Sequence, residues 1–369
     1  MHTRWTSNLV LLVLLGAPTF AQTRLPPALE GAPHGEGEVA VRAGGLAAVF
    51  VVVAAAASGQ EPGPRPDSPL PELTARDLES AGLEADTRAR IQEALRARAY
   101  DRAETLLLEA VERRPSSAEL LRLLGGVFFV RGRHLNAAVA FKKAEVLAPL
   151  DERSRFTLAM SYVVLGRRDW ARPELDKLAR SAPRDPLYAY WSARLDYDEE
   201  QYAAAIRGLL RAIELDGRFM KAHDNLGLCY EALGRYDEAI RSYEEAIRLN
   251  REESSPSAWP PLNLGLLLMR RDRLDEAEKH FRESLRHDPR FPQGHYQLGV
   301  ALEKKGRPGE AIGELNQAAA LDPAYSEPHY SLARLYRRAG DAEGADRALR
   351  RFQELQQEKK KGRAGPGPR

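Results

Sequence analysis

Apolar and small residues recur along this chain with a helical period and, on a longer scale, with a step of 34 residues. The stretch from Met220 to Glu253 sets the pattern. Leu226, Gly227 and Tyr230 lie on one amphipathic segment and Ala239, Tyr243 and Ala246 on a second, each spaced to turn one face inward. The first segment is predicted helical from about Lys221 to Leu233. Gly234 stands just past its end, where a left-handed residue is wanted, and Asp237 is expected to open the second helix as its N-cap. Two helices joined by so short a turn make a helical hairpin.

Three columns repeat with this unit. Alanine marks the second helix at Ala103, Ala137, Ala171, Ala205, Ala239, Ala277, Ala311 and Ala345. Between Ala239 and Ala277 the step is 38, and the four extra residues fall in the loop-like run from Glu252 to Ser257. Small residues mark the first helix at Gly125, Ala159, Ala193, Gly227, Gly265, Gly299 and Ala333. Helices approach closely only where one of them presents little bulk, so the two columns predict a tight hairpin. Pro115, Pro149, Pro183, Pro289 and Pro323 end the second helices, which proline cannot continue.

Leu-Gly-x2-Tyr followed by Ala-x3-Tyr resembles the signature of the tetratricopeptide repeat, and the columns extend that resemblance from about Ala85 to Gln357. It implies an all-α fold, a right-handed superhelical solenoid of about eight helix-turn-helix hairpins. The departures are Arg90-Ile91 in place of Leu-Gly, Glu200 and Asp272 in the turn-glycine column, Gly217 and Arg251 in the proline column, and Pro173 inside a second helix. A one-residue shift of the first repeat would pair Ile91 with Leu95, and Pro173 is expected to bend its helix.

Outside the repeats the pattern changes. Residues 1–59 hold two signal-like segments: Arg4 before Leu9 to Leu15 with Ala21 ahead of a cut at Gln22, and Arg42 before Leu46 to Ala57. Three readings follow: cleavage of the first and anchoring by the second, a true start near Val39 or Val41, or persistence of both. The second run is short for a membrane span and rich in alanine, which favours export with cleavage near Ala57 over a retained inner-membrane anchor. The array would then be periplasmic or secreted, in a bacterial setting. Residues 60–71 read as a proline-rich linker, and Glu72 to Gly82 as a capping helix for an array spanning 72–357. The last helix is predicted over Glu343 to Gln357, with residues 358–369 a disordered basic tail.

Composition adds little to this picture. The 369 residues are 43% apolar and 29% charged, with a net charge of +2 that points to no nucleic acid. One cysteine, Cys229, excludes an internal disulfide framework and reads as a small buried apolar residue. His223, His295 and His329 occupy one column but belong to separate repeats, and His280 and His287 lie two helical turns apart, so packing rather than a shared metal accounts for them. Gly31, Gly35 and Gly37 do not form a phosphate loop, and no nucleophile motif occurs. No catalysis, cofactor or metal is expected.

What remains is surface. The family resemblance implies that the first helices line a concave face on which a protein or peptide partner docks. Counting from the small-residue column places Phe129, Phe156, Met160, Tyr190, Trp191, Tyr197, Trp259, Met269, Tyr296 and Tyr330 on that face. Asn225, Asn263 and Gln297 share one slot in successive repeats, where an amide offers a donor and an acceptor to a passing peptide unit. Leu228 and Leu266 stand where a carboxylate-clamping variant would carry charge, so no such clamp is expected. The expected function is a non-catalytic interaction scaffold. The alternative is a subunit of a membrane-anchored assembly that uses its convex face or its ends.

Overall fold

The computed structural model of the protein describes residues 78, 79 and 81–363, and among them the chain is all helix and turn. The signal-like segments at 1–59, the linker at 60–71 and the start of the capping helix lie outside the described residues. The chain divides into two compact units. The first, ending at Gly166, holds α1 (Ala85–Arg96), α2 (Tyr100–Arg113), α3 (Ala118–Val130), α4 (His134–Leu147) and α5 (Glu152–Val164). The second begins at Arg167 with α6 (Arg168–Ser181), α7 (Pro186–Asp198), α8 (Tyr202–Leu215), α9 (Met220–Ala232) and α10 (Tyr236–Asn250). It continues through α11 (Trp259–Arg270), α12 (Leu274–His287), α13 (Pro292–Lys304), α14 (Pro308–Leu321), α15 (Ser326–Arg338) and, as far as Lys361, α16 (Ala342–Arg363). Odd-numbered helices open a repeat and even-numbered helices close it.

Backbone geometry, not side-chain capping, makes the hairpin turn. After α9 the Gly234 N–H donates to Glu231 O at 2.9 Å and the Arg235 N–H to Tyr230 O at 2.8 Å, the paired bonds of a Schellman turn. Gly234 takes φ +71°, and the same column is left-handed at Arg98, Glu200 and Asp272, with φ of 53°, 59° and 59°. Glu200 and Asp272 therefore keep the turn without glycine, and Arg98 supplies the first repeat's turn. Because the turn fixes chain entry, α10 begins one residue before Asp237, with Arg235 at the N-cap and no side-chain bond. The expected Asp237 cap is thus the second helical residue, an acid in the first turn that favours the helix dipole.

Packing inside a hairpin joins the small column to a large residue. A Cβ on Gly227 would lie 2.5 Å from Tyr243 Cε1, one on Gly265 2.6 Å from Phe281 Cε1, and one on Gly125 3.0 Å from the Phe141 ring. Each glycine thus makes room for an aromatic ring. In the first repeat Ile91 fills the small column and is fully buried with Ala94 and Leu107, and it is Ala94, not Leu95, that is buried beside it. Pro173 lies within α6, which remains one helix from Arg168 to Ser181.

Three repeats are tied to their successors by a charge at the position after the alanine, Glu104, Arg172 and Glu278. Glu278 receives Lys305 Nζ at 2.6 Å and Arg307 Nη1 at 2.9 Å from the next turn. Burial opposes its ionisation, yet the donors Lys305, Arg282 and Arg307 hold its pKa down at about 2. Glu104 receives Arg131 and Arg133 in the same phase. Arg172 reverses the polarity, pairing with Asp196 at 2.8 Å and Glu199 at 2.9 Å.

The inserted loop is closed by Asn250, fully buried, whose Nδ2 donates to Ser257 O at 2.8 Å while its Oδ1 accepts from the Ser257 N–H at 2.7 Å. Ahead of the first repeat, Leu78 is 1% exposed. The last helix differs from expectation, since α16 runs to Arg363 and takes in Lys359 and Lys360, which were expected in a disordered tail. Lys359 Nζ donates to Ser326 Oγ at 3.1 Å, a tie to α15 that favours the longer helix. Among the described residues no helix is long and apolar enough to cross a membrane.

Candidate functional site

The first helices carry the residues expected to form a binding face, and the structure divides those residues into closed and open sets. Phe129, Phe156, Met160, Tyr190, Trp191 and Asn225 are all buried. Tyr197, Asn263, Met269, Tyr296 and Gln297 are half-buried. Trp259 and Tyr330 are exposed, at 41% and 51%. The expectation that the aromatic slots in the middle of the array are open is corrected: they lie inside it, and the open positions lie further on.

Neighbouring side chains explain the closure of α7 and α9. The Tyr190 ring meets Trp191 edge-on at 5.5 Å and Phe219 at 5.0 Å. Its hydroxyl accepts from Asn225 Nδ2 at 3.2 Å, and that nitrogen also donates to Lys221 O at 2.8 Å. Asn225 Oδ1 in turn accepts from Arg194 Nη1. Both ends of this amide are therefore engaged within the protein. In the next repeat Asn263 Nδ2 lies 3.1 Å from each oxygen of Asp224, so its donor also points back along the array. Burial raises the Asp224 pKa to about 6, against the opposing pull of the Asn263 hydrogen bond and the Arg194 charge. Arg194 and Asp224, which the column pattern did not single out, organise this seam. The available signal was the presence of charge at first-helix slots whose neighbours are aromatic or amide.

Openness increases from α11 onward. Trp259 touches Phe291 edge-on at 5.0 Å, Tyr296 touches Tyr325 at 5.3 Å and Tyr330 touches Phe352 at 5.3 Å. Each is anchored by one aromatic neighbour, and for Trp259 and Tyr330 that neighbour leaves much of the ring to solvent. Rigid, partly exposed rings supply contact area at low entropic cost.

The histidines do structural work. His223 Nε2 lies 3.2 Å from Gly217 O and His295 Nε2 3.0 Å from Pro289 O, each reaching the end of the preceding second helix. In the last repeat Arg351 takes that role, donating to Pro323 O at 3.2 Å. A hydrogen bond that His295 Nδ1 donates to the Glu314 carboxylate raises the His295 pKa despite burial. His280 and His287 flank the buried Glu283 at 3.6 and 4.0 Å, and burial lowers the pKa of both. Arg251 Nε already donates to that carboxylate at 2.8 Å. Among the described residues no three ligating side chains converge as a metal site would require. Cys229 is fully buried, and burial pushes its thiol up to about 12, far from nucleophilic ionisation. A cavity of about 310 Å³ lies in the α9–α10 hairpin, lined by His223, Leu226, Tyr230, Glu238, Arg241, Ser242 and Glu245.

Comparison with known proteins gives the same architecture. Sequence models of the tetratricopeptide repeat match residues 88–152 and 262–326, residues 218–289, and residues 326–351. One described as anaphase-promoting complex, cyclosome, subunit 3 matches residues 173–246. No curated protein matches the chain. Among solved structures, yeast Tom70 is similar at 17% identity and a TM-score of 0.58, over 76% of this chain and 64% of that one. A tetratricopeptide repeat protein from Parabacteroides merdae ATCC 43184 matches at 15% identity and a TM-score of 0.58, over 70% of this chain and 98% of that one. A chain of the APC/C hetero-tetramer Cut9-Hcn1 matches at 18% identity and a TM-score of 0.55, over 70% of this chain and 50% of its own length. At these identities the likeness is one of fold.

Proposed function

We propose, for a chain that belongs to the tetratricopeptide repeat family, that it is a non-catalytic scaffold whose protein partner lies along the first helices of its last three repeats. Arrays of this family present an extended surface lined by first helices, read here as the concave face, which suits an extended segment or a helix. One observation carries the choice of region: Trp259 and Tyr330 stay 41% and 51% exposed while Tyr190 and Trp191 are 5% and 4% exposed. A partner would cover the two rings and use Gln297, half-buried between them in the array, as a hydrogen-bonding amide. The sequence of residues 1–59 alone supports the further reading that the array works outside the cytoplasm.

The test is crosslinking in cells followed by mass spectrometry, comparing tagged wild type with the Trp259→Ala, Tyr330→Ala double variant. Partners should be lost from the variant while its helical circular dichroism and melting temperature stay close to wild type. An unchanged partner set would move the interface to the convex face or the ends. The N-terminal peptide of the recovered protein tests export: a start just after Ala57 supports it, and a start at Met1 counts against it.

A further inference from the structure

We infer that the partner segment is acidic, with carboxylates recurring at about every third residue, and that it crosses a row of cations at the ends of α11, α13 and α15. This deepens the scaffold reading and rests on it. The three helices end on Arg270, Lys304 and Arg338, one per repeat, and Arg337 stands beside the last. All four are exposed. Consecutive cations occur only in this region: α3, α5, α7 and α9 have no basic residue in their last turns, and α1 alone among the earlier first helices ends on one, Arg96.

A cation at a helix C-terminus is favoured by the helix dipole, which is the structural explanation to be weighed against recognition. Four earlier first helices form without one, so the hairpin does not require it. The ion pairs divide the row further. Arg270 is held by Glu231, and Arg338 reaches Glu303 at 3.1 Å, where Arg334 also donates at 2.6 Å. Lys304 and Arg337 have no ion pair among the described residues. The row therefore combines cations fixed in place by the array with cations whose charge is uncompensated.

Geometry sets the spacing of the complement. Packed helices lie about 8–10 Å apart, and an extended chain advances about 3.3 Å per residue. One repeat therefore corresponds to about three residues of a partner running across the helices. Glutamate or aspartate at that interval meets successive cations, and the residues between them pass Met269, half-buried beside Arg270 at the same end of α11. Opposite charges arranged in this way fix orientation and speed association more than they add affinity.

The test uses the full chain and a fluorescein-labelled peptide of about ten residues, with glutamate at every third position and leucine or alanine between. Fluorescence anisotropy should show binding that weakens with salt and falls by about tenfold or more in the Lys304→Glu, Arg337→Glu variant. A peptide with lysine replacing glutamate should bind at least as weakly as the variant. Equal affinity for the glutamate and lysine peptides, or equal affinity of wild type and variant for the glutamate peptide, overturns the inference. The cellular crosslinking separates the two levels. Partners lost from the Trp259→Ala, Tyr330→Ala protein but kept by Lys304→Glu, Arg337→Glu leave the scaffold reading standing and remove the acidic partner. Partners kept by both remove both.

Discussion

The first-helix faces of α7–α9 and of α11–α15 are built on the same columns yet finish differently. In α7–α9, Tyr190, Trp191, Arg194 and Asn225 bond to one another and to Phe219, and the face is closed by its own side chains. In the later helices the slot of Tyr190 holds Leu262, Tyr296 and Tyr330, Trp259 stands exposed at the start of α11, and cations appear at the helix ends. One repeat pattern thus supplies two kinds of surface, an internally satisfied one and one with exposed rings and charge. What decides between them is the residue that the following repeat brings to the slot.

The comparison can be broken first at Tyr190. Tyr190→Ala removes a ring that is 5% exposed and strands Asn225, and it is expected to cost about 3–5 kcal/mol in a denaturant titration. Loss of a partner without loss of stability would instead place Tyr190 in the binding face. Asp224 tests the buried polar seam. Its folded carboxyl titrates near 6 rather than near 3.8, so the folded state holds the proton more tightly than the unfolded chain does. Ionisation therefore costs stability, with no penalty below about pH 4 and the full penalty above about pH 6. Asp224→Asn, which retains an acceptor for Asn263, should be more stable than wild type by about 2–3 kcal/mol at pH 8, with the gain vanishing at pH 4. A pH-independent difference would mean that the Asp224 carboxyl has the same pKa in the folded and unfolded chain, and that burial does not raise it. The smallest stability effect belongs to Trp259→Ala, expected below about 1.5 kcal/mol because the ring is 41% exposed. A larger loss would make Trp259 a packing residue like Tyr190.

Most of the fold was legible because close packing leaves periodic marks. Gly227 opposite Tyr243 and Gly265 opposite Phe281 are written into the chain as columns, and the inserted residues at 252–257 are visible as a break in step. Nothing in an arginine announces the left-handed φ of Arg98; only its place in the column does. The candidate face was less legible. Periodicity reports which side of a helix a residue occupies but not what the next repeat lays over it. Asn225 and Asn263 looked like a ladder offered to a peptide, yet each amide nitrogen turns back to the preceding repeat, to Tyr190 and to Asp224. Trp191 and Met160 sit in slots of the same kind and are covered, at 4% and 0% exposure. The end of α16 is not legible in the sequence, because a lysine-rich run carries no apolar period, and it is a contact made outside the helix, Lys359 to Ser326, that accompanies its continuation.

The loop clasp at Asn250 sets how freely this architecture can vary in length. By grasping both backbone groups of Ser257, the asparagine closes the insertion on itself, and the next hairpin resumes in phase. The clasp works like an expansion joint: material added between its jaws lengthens the chain without altering the stacking on either side. Residues 252–255, all exposed, form a natural splice point at which a tag or a second recognition module can be carried.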